Sequence, residues 1–224
     1  RLLYKLVMSF AHHIYFLFFL LIKYDTNQTV KLMNWADSNF NSPAPNIVKW
    51  MVLERWGGDE VWIETGTYLG ETTNFLARKK KLVISLEPQK DLYLLAQEKF
   101  EGVANVVLLK GTSEEVFVEA ISVAKKIETS DFTFWLDGHF SEGFTFQGAV
   151  NSPVIFELST IVSQLSRDCK LTILIDDVRS FSNGDEIISG YPSLGFLANF
   201  AKENNFKWTI EHDIFIMTNR HSLC

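Results

Sequence analysis

A repeated beat of short apolar runs and longer amphipathic stretches constrains this chain more than any other feature. The runs are Val61–Ile63, Leu82–Leu86, Val106–Leu109, Phe132–Leu136 and Leu171–Ile175. They are rich in Val, Ile and Phe and do not alternate with polar residues, the pattern of parallel strands covered on both faces. Between them Thr72–Lys80, Lys90–Phe100, Glu114–Ile127 and Pro153–Leu165 read as helices. Strand and helix in alternation imply right-handed crossovers and a doubly wound sheet. The tail breaks the beat. Ser193–Asn204 reads as a helix, and Phe206–Ile210 and Ile214–Thr218 are runs separated by only Glu211, His212 and Asp213. So tight a connection makes a hairpin. The expected fold is therefore α/β: a doubly wound, mostly parallel sheet of seven strands with an antiparallel C-terminal hairpin strand, preceded by N-terminal helices.

The chain has 224 residues, one domain's worth with some surplus. Lys and Arg number 21 against 27 Asp and Glu, a formal net charge of −6, which argues against nucleic acid as the main partner. Two cysteines, Cys169 and Cys224, build neither a disulfide framework nor a Cys-based zinc site, so a reducing, cytoplasmic compartment is expected. Residues 1–45 read as an apolar helix and a linker, and 46–224 as the main domain. Ile14–Ile22 is unbroken apolar sequence, shorter than the ~20 residues a spanning helix needs. The wider window Leu2–Ile22 is interrupted by Lys5, Ser9, His12 and His13, and no small-residue cleavage site follows. Three readings stay open: a helix packed on the domain or on a second copy, a membrane anchor, or a leader segment. The chain opens on Arg1, which predicts a start further upstream. Asn46–Trp56 reads as a helix stopped by Gly57-Gly58, and Val30–Trp35 as a short helical piece.

In a doubly wound sheet, ligands bind beyond the carboxyl ends of the strands. The first run is followed by Glu64-Thr65-Gly66-Thr67-Tyr68-Leu69-Gly70-Glu71-Thr72-Thr73. Gly66 and Gly70 let a ligand approach the backbone, and Thr72 or Thr73 is placed to cap the next helix. The dinucleotide fingerprint G-x-G-x-x-G is absent, which disfavours a nicotinamide dehydrogenase. The second run ends in Glu87, 23 residues beyond Glu64. An acidic residue there commonly accepts hydrogen bonds from both ribose hydroxyls of a nucleoside cofactor. After the third run come Gly111 and Ser113, placed along an adenine; Ser113 is also a good N-cap, and the two roles are compatible. The fourth run leads into Asp137-Gly138-His139 and the fifth into Asp176-Asp177-Val178-Arg179. With these strands adjacent at the switch point, Asp137, His139, Asp176 and Asp177 share one cleft. Three carboxylates at close range need a cation or a proton between them. Oxygen ligands suit Mg²⁺, Mn²⁺ or Ca²⁺, with Arg179 as the rival partner.

The pattern over Val61–Thr218 resembles the Rossmann-like class I S-adenosylmethionine-dependent methyltransferases. The L-D-G-H and I-D-D motifs narrow the resemblance to the metal-dependent O-methyltransferases of the macrocin and catechol type. The resemblance implies cofactor contacts from Glu64, Gly66, Thr67, Gly70, Glu87, Gly111, Ser113 and Asp137. It implies a Mg²⁺ site at Asp137, Asp176 and Asp177, and His139 as the base. Phe144–Asn151 and Arg179–Tyr191 match no known motif and are where substrate identity is expected.

The function expected is transfer of a methyl group from S-adenosylmethionine, with a divalent cation, to a hydroxyl of a small molecule or sugar. The metal would hold substrate oxygens and lower a hydroxyl pKa, and His139 would take the proton. Two alternatives stay open: the same fold running other chemistry, and a non-catalytic binding protein tethered by its N-terminal segment. A homodimer is compatible with each.

Overall fold

The structure, a computed structural model, describes residues 26–138, 152–181 and 191–220. The Leu2–Ile22 segment, His139, Phe144–Asn151 and Cys224 lie outside them. The chain divides into two units between Lys49 and Trp50.

The described part of the first unit holds helix α1 (Thr26–Asp37) and the start of α2 (Asn46–Trp56), which crosses the division. The Trp35 indole closes the turn after α1 by donating to the Asn41 carbonyl at 2.7 Å, and the Phe40 ring meets its face edge-on at 5.0 Å.

The second unit carries β1 (Val61–Thr65), α3 (Glu71–Ala77), β2 (Leu82–Glu87), α4 (Lys90–Lys99), β3 (Val106–Lys110), α5 (Ser113–Ala124) and β4 (Asp131–Leu136). It continues with α6 (Val154–Gln164), β5 (Lys170–Ile175), a 3₁₀ turn (Val178–Ser180), α7 (Leu194–Glu203), β6 (Lys207–Glu211) and β7 (Ile214–Thr218). The seven strands form one sheet in the order β3-β2-β1-β4-β5-β7-β6. β1 to β5 run parallel, and β7 pairs antiparallel with both β5 and β6. This is the doubly wound, mostly parallel seven-stranded sheet with an antiparallel C-terminal hairpin strand expected from the sequence. The hairpin inserts β7 beside β5, so β6 is the edge. One detail differs. The strand order reverses between β1 and β4, which places the switch point there and not between β4 and β5.

Strand periodicity sorts the core. Val61 and Ile63 face one side with Phe132, Phe134, Ile173, Ile175, Phe215 and Met217, under α5, α6 and α7. Trp62 faces the other with Val83, Trp135, Leu174, Ile214 and Ile216, under α3 and the end of α2 (Val52, Leu53). α5 buries Phe117, Ala120, Ile121 and Ala124, one helical stripe. Each large side chain so buried is worth about 1.5–3 kcal/mol. Two apolar layers therefore hold the carboxyl ends of β1, β2 and β4 in register, and the loops leaving those ends inherit that rigidity. The exposed edge strand β6 carries Lys207 and Glu211 at its ends, a feature that discourages pairing with another sheet. No helix among the described residues is long and apolar enough to cross a membrane.

Candidate active site at the strand ends

The last residues of β1 leave on opposite faces, and each is met by a buried carboxylate system. Glu64 points to the α3 side. Its Oε2 accepts from Thr73 Oγ1 at 2.5 Å and from Ser85 Oγ at 2.7 Å. Ser85 is its neighbour in register on β2. Burial pushes the Glu64 carboxyl up to about 7 against the lowering by those two hydroxyls; the nearby Glu87 charge raises it further and Lys99 lowers it. Glu64 thus sits inside the protein as a brace between β1, β2 and α3. Thr67 joins the same cluster through its hydroxyl, 2.6 Å from that of Ser85.

The loop above the brace turns sharply. Gly66 has φ +85°, and a Cβ there would lie 2.7 Å from the Asp137 carbonyl oxygen. The amides of Gly66 and Thr67 both donate to the Leu86 carbonyl at 3.0 Å. Gly70, also left-handed at φ +65°, is the N-cap of α3. This differs from the expected Thr cap: the Thr72 hydroxyl accepts from the Trp50 indole at 3.1 Å, and that of Thr73 serves Glu64.

Glu87 closes the cleft from β2. Oε2 accepts from the Tyr68 amide at 2.8 Å and Oε1 from the Gln89 amide at 2.9 Å. Burial raises its carboxyl while both amides lower it. A carboxylate offers about four acceptor sites, so lone pairs remain for a vicinal diol. The Glu87 carbonyl accepts from the Gly111 amide at 3.2 Å, which brings Gly111 beside it. Ser113 is not a cap. Thr112 is the N-cap of α5, its amide donating to Glu115 Oε2 at 2.9 Å. The Ser113 hydroxyl instead donates to Glu157 Oε1 at 2.5 Å.

Asp137 leaves β4 beside Gly66, its amide donating to both the carbonyl and the hydroxyl of Thr65 at 3.2 Å. Asp176 leaves β5 fully buried, its amide donating to the Leu136 carbonyl at 3.1 Å. Asp177 turns left-handed at φ 58°, and Arg179 donates to its Oδ1 at 2.8 Å and also pairs with Asp213 of the β6–β7 turn. The rival weighed in the sequence is therefore present: Arg179 bridges two carboxylates. Among the described residues no group of three or more His, Cys, Asp or Glu is placed to hold a metal ion. The Asp137, Asp176 and Asp177 trio does not fit the cation expected of it: it forms no such group among the described residues, and Asp177 is already paired with the guanidinium of Arg179.

Glu157 escaped the sequence reading, and Tyr191 entered it only as the end of the Arg179–Tyr191 stretch. Tyr191 is buried, with Phe181 edge-on at 5.4 Å, and its phenol is pushed up by burial and by the charges of Asp177 and Asp137. Both effects favour the protonated phenol. Glu157 is fully buried on α6, in one stripe with Val154, Leu158 and Ile161. An acid in an apolar helical stripe was the signal that could have found it. No comparable signal marked Tyr191.

No known family model matches the chain. A 116-residue stretch is 30% identical to the ribosomal RNA small subunit methyltransferase A of Caldanaerobacter subterraneus subsp. tengcongensis. That stretch is 51% of this chain, and it spans only 37% of the relative's own length. Among solved structures, an O-methyltransferase from Bacillus cereus in complex with S-adenosylhomocysteine is 17% identical, covering 87% of this chain and 90% of its own, at a TM-score of 0.48. An S-adenosylmethionine-dependent methyltransferase from Aquifex aeolicus is 14% identical over 81% of this chain and 94% of its own, at 0.43.

Proposed function

We propose that this chain is an S-adenosylmethionine-dependent methyltransferase that acts on a hydroxyl oxygen of a small molecule or sugar. The observation that carries the reading is Glu87: a buried carboxylate at the end of β2, pre-oriented by two amides, beside the Gly66–Gly70 turn that leaves β1 next to the switch point of the sheet. That donor and acceptor set fits the ribose of a nucleoside cofactor, with Gly111 toward the adenine and Asp137 toward the opposite end. When bound, the cofactor supplies an electrophilic methyl group for in-line transfer.

The chain's own residues do the rest. Glu87 holds the ribose. The Gly66 turn keeps side chains out of the approach. His139, two residues beyond Asp137, is the proposed base for the acceptor hydroxyl; in neutral form it takes the proton. No step runs through a divalent cation, because the carboxylate trio does not fit one.

Calorimetric titration with S-adenosylhomocysteine tests the reading. The wild type binds, and Glu87→Ala weakens binding at least tenfold, the value of a charge-assisted hydrogen bond of ~1.5–3 kcal/mol. A wild type that does not bind overturns the assignment. Glu87→Gln, which keeps the shape, guards against a folding defect and is expected to fall between the two.

A second reading, methylation of ribosomal RNA, is favoured by the 30% identical relative. The net charge of −6 counts against it, since phosphate backbones call for a basic surface. Labelled-methyl transfer to hydroxylated metabolites and to ribosomal RNA, run side by side, separates the two.

A further inference from the structure

Glu157 is fully buried beside the strand ends, and the proposed chemistry leaves it without a task. Its Oε1 accepts from Ser113 Oγ at 2.5 Å, and the nearby Thr65 hydroxyl favours its charged form. Its Oε2 is buried with no hydrogen-bond partner among the described residues. A buried carboxylate with one oxygen unserved is costly unless it holds something in place.

What it holds follows from the direction of each bond. The Thr65 hydroxyl has one proton, and Glu157 is the carboxyl group that faces it across Gly138. Its oxygen then presents its lone pairs to the amides of Asp137, at 3.2 Å, and Gly138, at 3.1 Å. Space is equally tight, for a Cβ on Gly138 would lie 3.1 Å from Thr65 Oγ1 and 3.8 Å from Glu157 Oε1. A line of polar groups therefore runs from Ser113 at the start of α5, through Glu157 and the facing Thr65 hydroxyl at the end of β1, to the backbone leaving β4.

We infer that Glu157 is a positioning residue that sets the Asp137–Gly138 backbone relative to the α5 N-terminus, and so sets the width of the cofactor cleft. The inference rests on the proposed function for its consequence in binding, but not for its structural content. In the absence of the carboxylate, the Thr65 hydroxyl rotates freely and the two amides lose a fixed acceptor.

The test compares wild type, Glu157→Ala, Glu157→Gln and Leu158→Ala. Leu158 is an equally buried neighbour on the same helix and controls for lost packing. Amide exchange of Asp137 and Gly138 is read by nuclear magnetic resonance against the sheet amides of Ile63 and Phe134. In Glu157→Ala the two loop amides exchange at least tenfold faster than the sheet reference, and S-adenosylhomocysteine affinity falls at least fivefold. In Leu158→Ala any acceleration is shared by all four. Glu157→Gln, which keeps an acceptor oxygen, restores both readouts to within about twofold. Loop amides as protected in Glu157→Ala as in the wild type overturn the inference, as does a Leu158→Ala that reproduces its pattern. Should Glu157→Ala fail to fold, Thr65→Val, which removes the hydroxyl at constant shape, carries the same expected result and the same refutation. A wild type that binds no S-adenosylhomocysteine removes the proposed function, while the exchange comparison still decides the role of Glu157.

Discussion

Glu64 and Glu157 flank the end of β1, and each is raised by burial from 4.5 to about 7. Both bind their proton more tightly in the folded chain than in the unfolded one. Their contribution to stability is complete below pH ~4.5, declines as pH rises toward ~7, and is level above that. A neutral isostere removes the decline. Glu64→Gln keeps a carbonyl that accepts from both Thr73 and Ser85, so it should match the wild type near pH 5 and exceed it at pH 8 by on the order of 1–3 kcal/mol. Urea denaturation at the two pH values measures this. A variant less stable at pH 8 than the wild type would mean that the two hydroxyls overcome burial and that the carboxylate is the preferred form.

At the scale of an element, the β1–α3 turn is limited by backbone conformation and by backbone approach, and two glycines separate these. Gly66 and Gly102 are both left-handed, at φ +85° and +76°. Only Gly66 has a neighbour in the way; a Cβ on Gly102 meets nothing within 4 Å. Gly102→Ala therefore carries only the left-handed cost of about 1–2 kcal/mol. Gly66→Ala adds displacement of the Asp137 carbonyl, and should be destabilised by at least about 1 kcal/mol more in chemical denaturation. Equal losses would mean that the β4 loop yields freely, contrary to its three hydrogen bonds to Thr65.

For the whole molecule, the C-terminal hairpin is the piece that long-range pairing must place. β7 is inserted between β5 and β6, and Arg179, just beyond β5, reaches the turn of that hairpin through Asp213. The Arg179 amide adds a bond to Asp213 Oδ1 at 2.8 Å and the Val178 amide one to its carbonyl at 2.9 Å. The guanidinium is 40% exposed, so its electrostatic share is modest and screened. Arg179→Ala should cost about 1 kcal/mol at low ionic strength and less in 1 M NaCl. A loss that salt leaves unchanged would place the contribution in packing instead.

The sequence by itself determined the layers. Unbroken Val, Ile and Phe runs between helical stripes permit little besides a covered parallel sheet, and a three-residue gap before Ile214 permits little besides a hairpin. It also determined which residues stand at strand ends, Glu87, Asp137, Asp176 and Asp177 among them, because those positions follow directly from where each apolar run stops. Only the tertiary structure decided what those residues do to one another. Arg179 could meet Asp177 from the sequence alone, but its second partner, Asp213, lies 34 residues away and is delivered by the hairpin. Ser113, a good helix cap in sequence, became a donor because α6 brings Glu157 to it from 44 residues further on. Periodicity records which face of an element is apolar. Hydrogen bonds and ion pairs depend on distances of a few tenths of an ångström between elements, and these exist only once the sheet order has put the strand ends side by side.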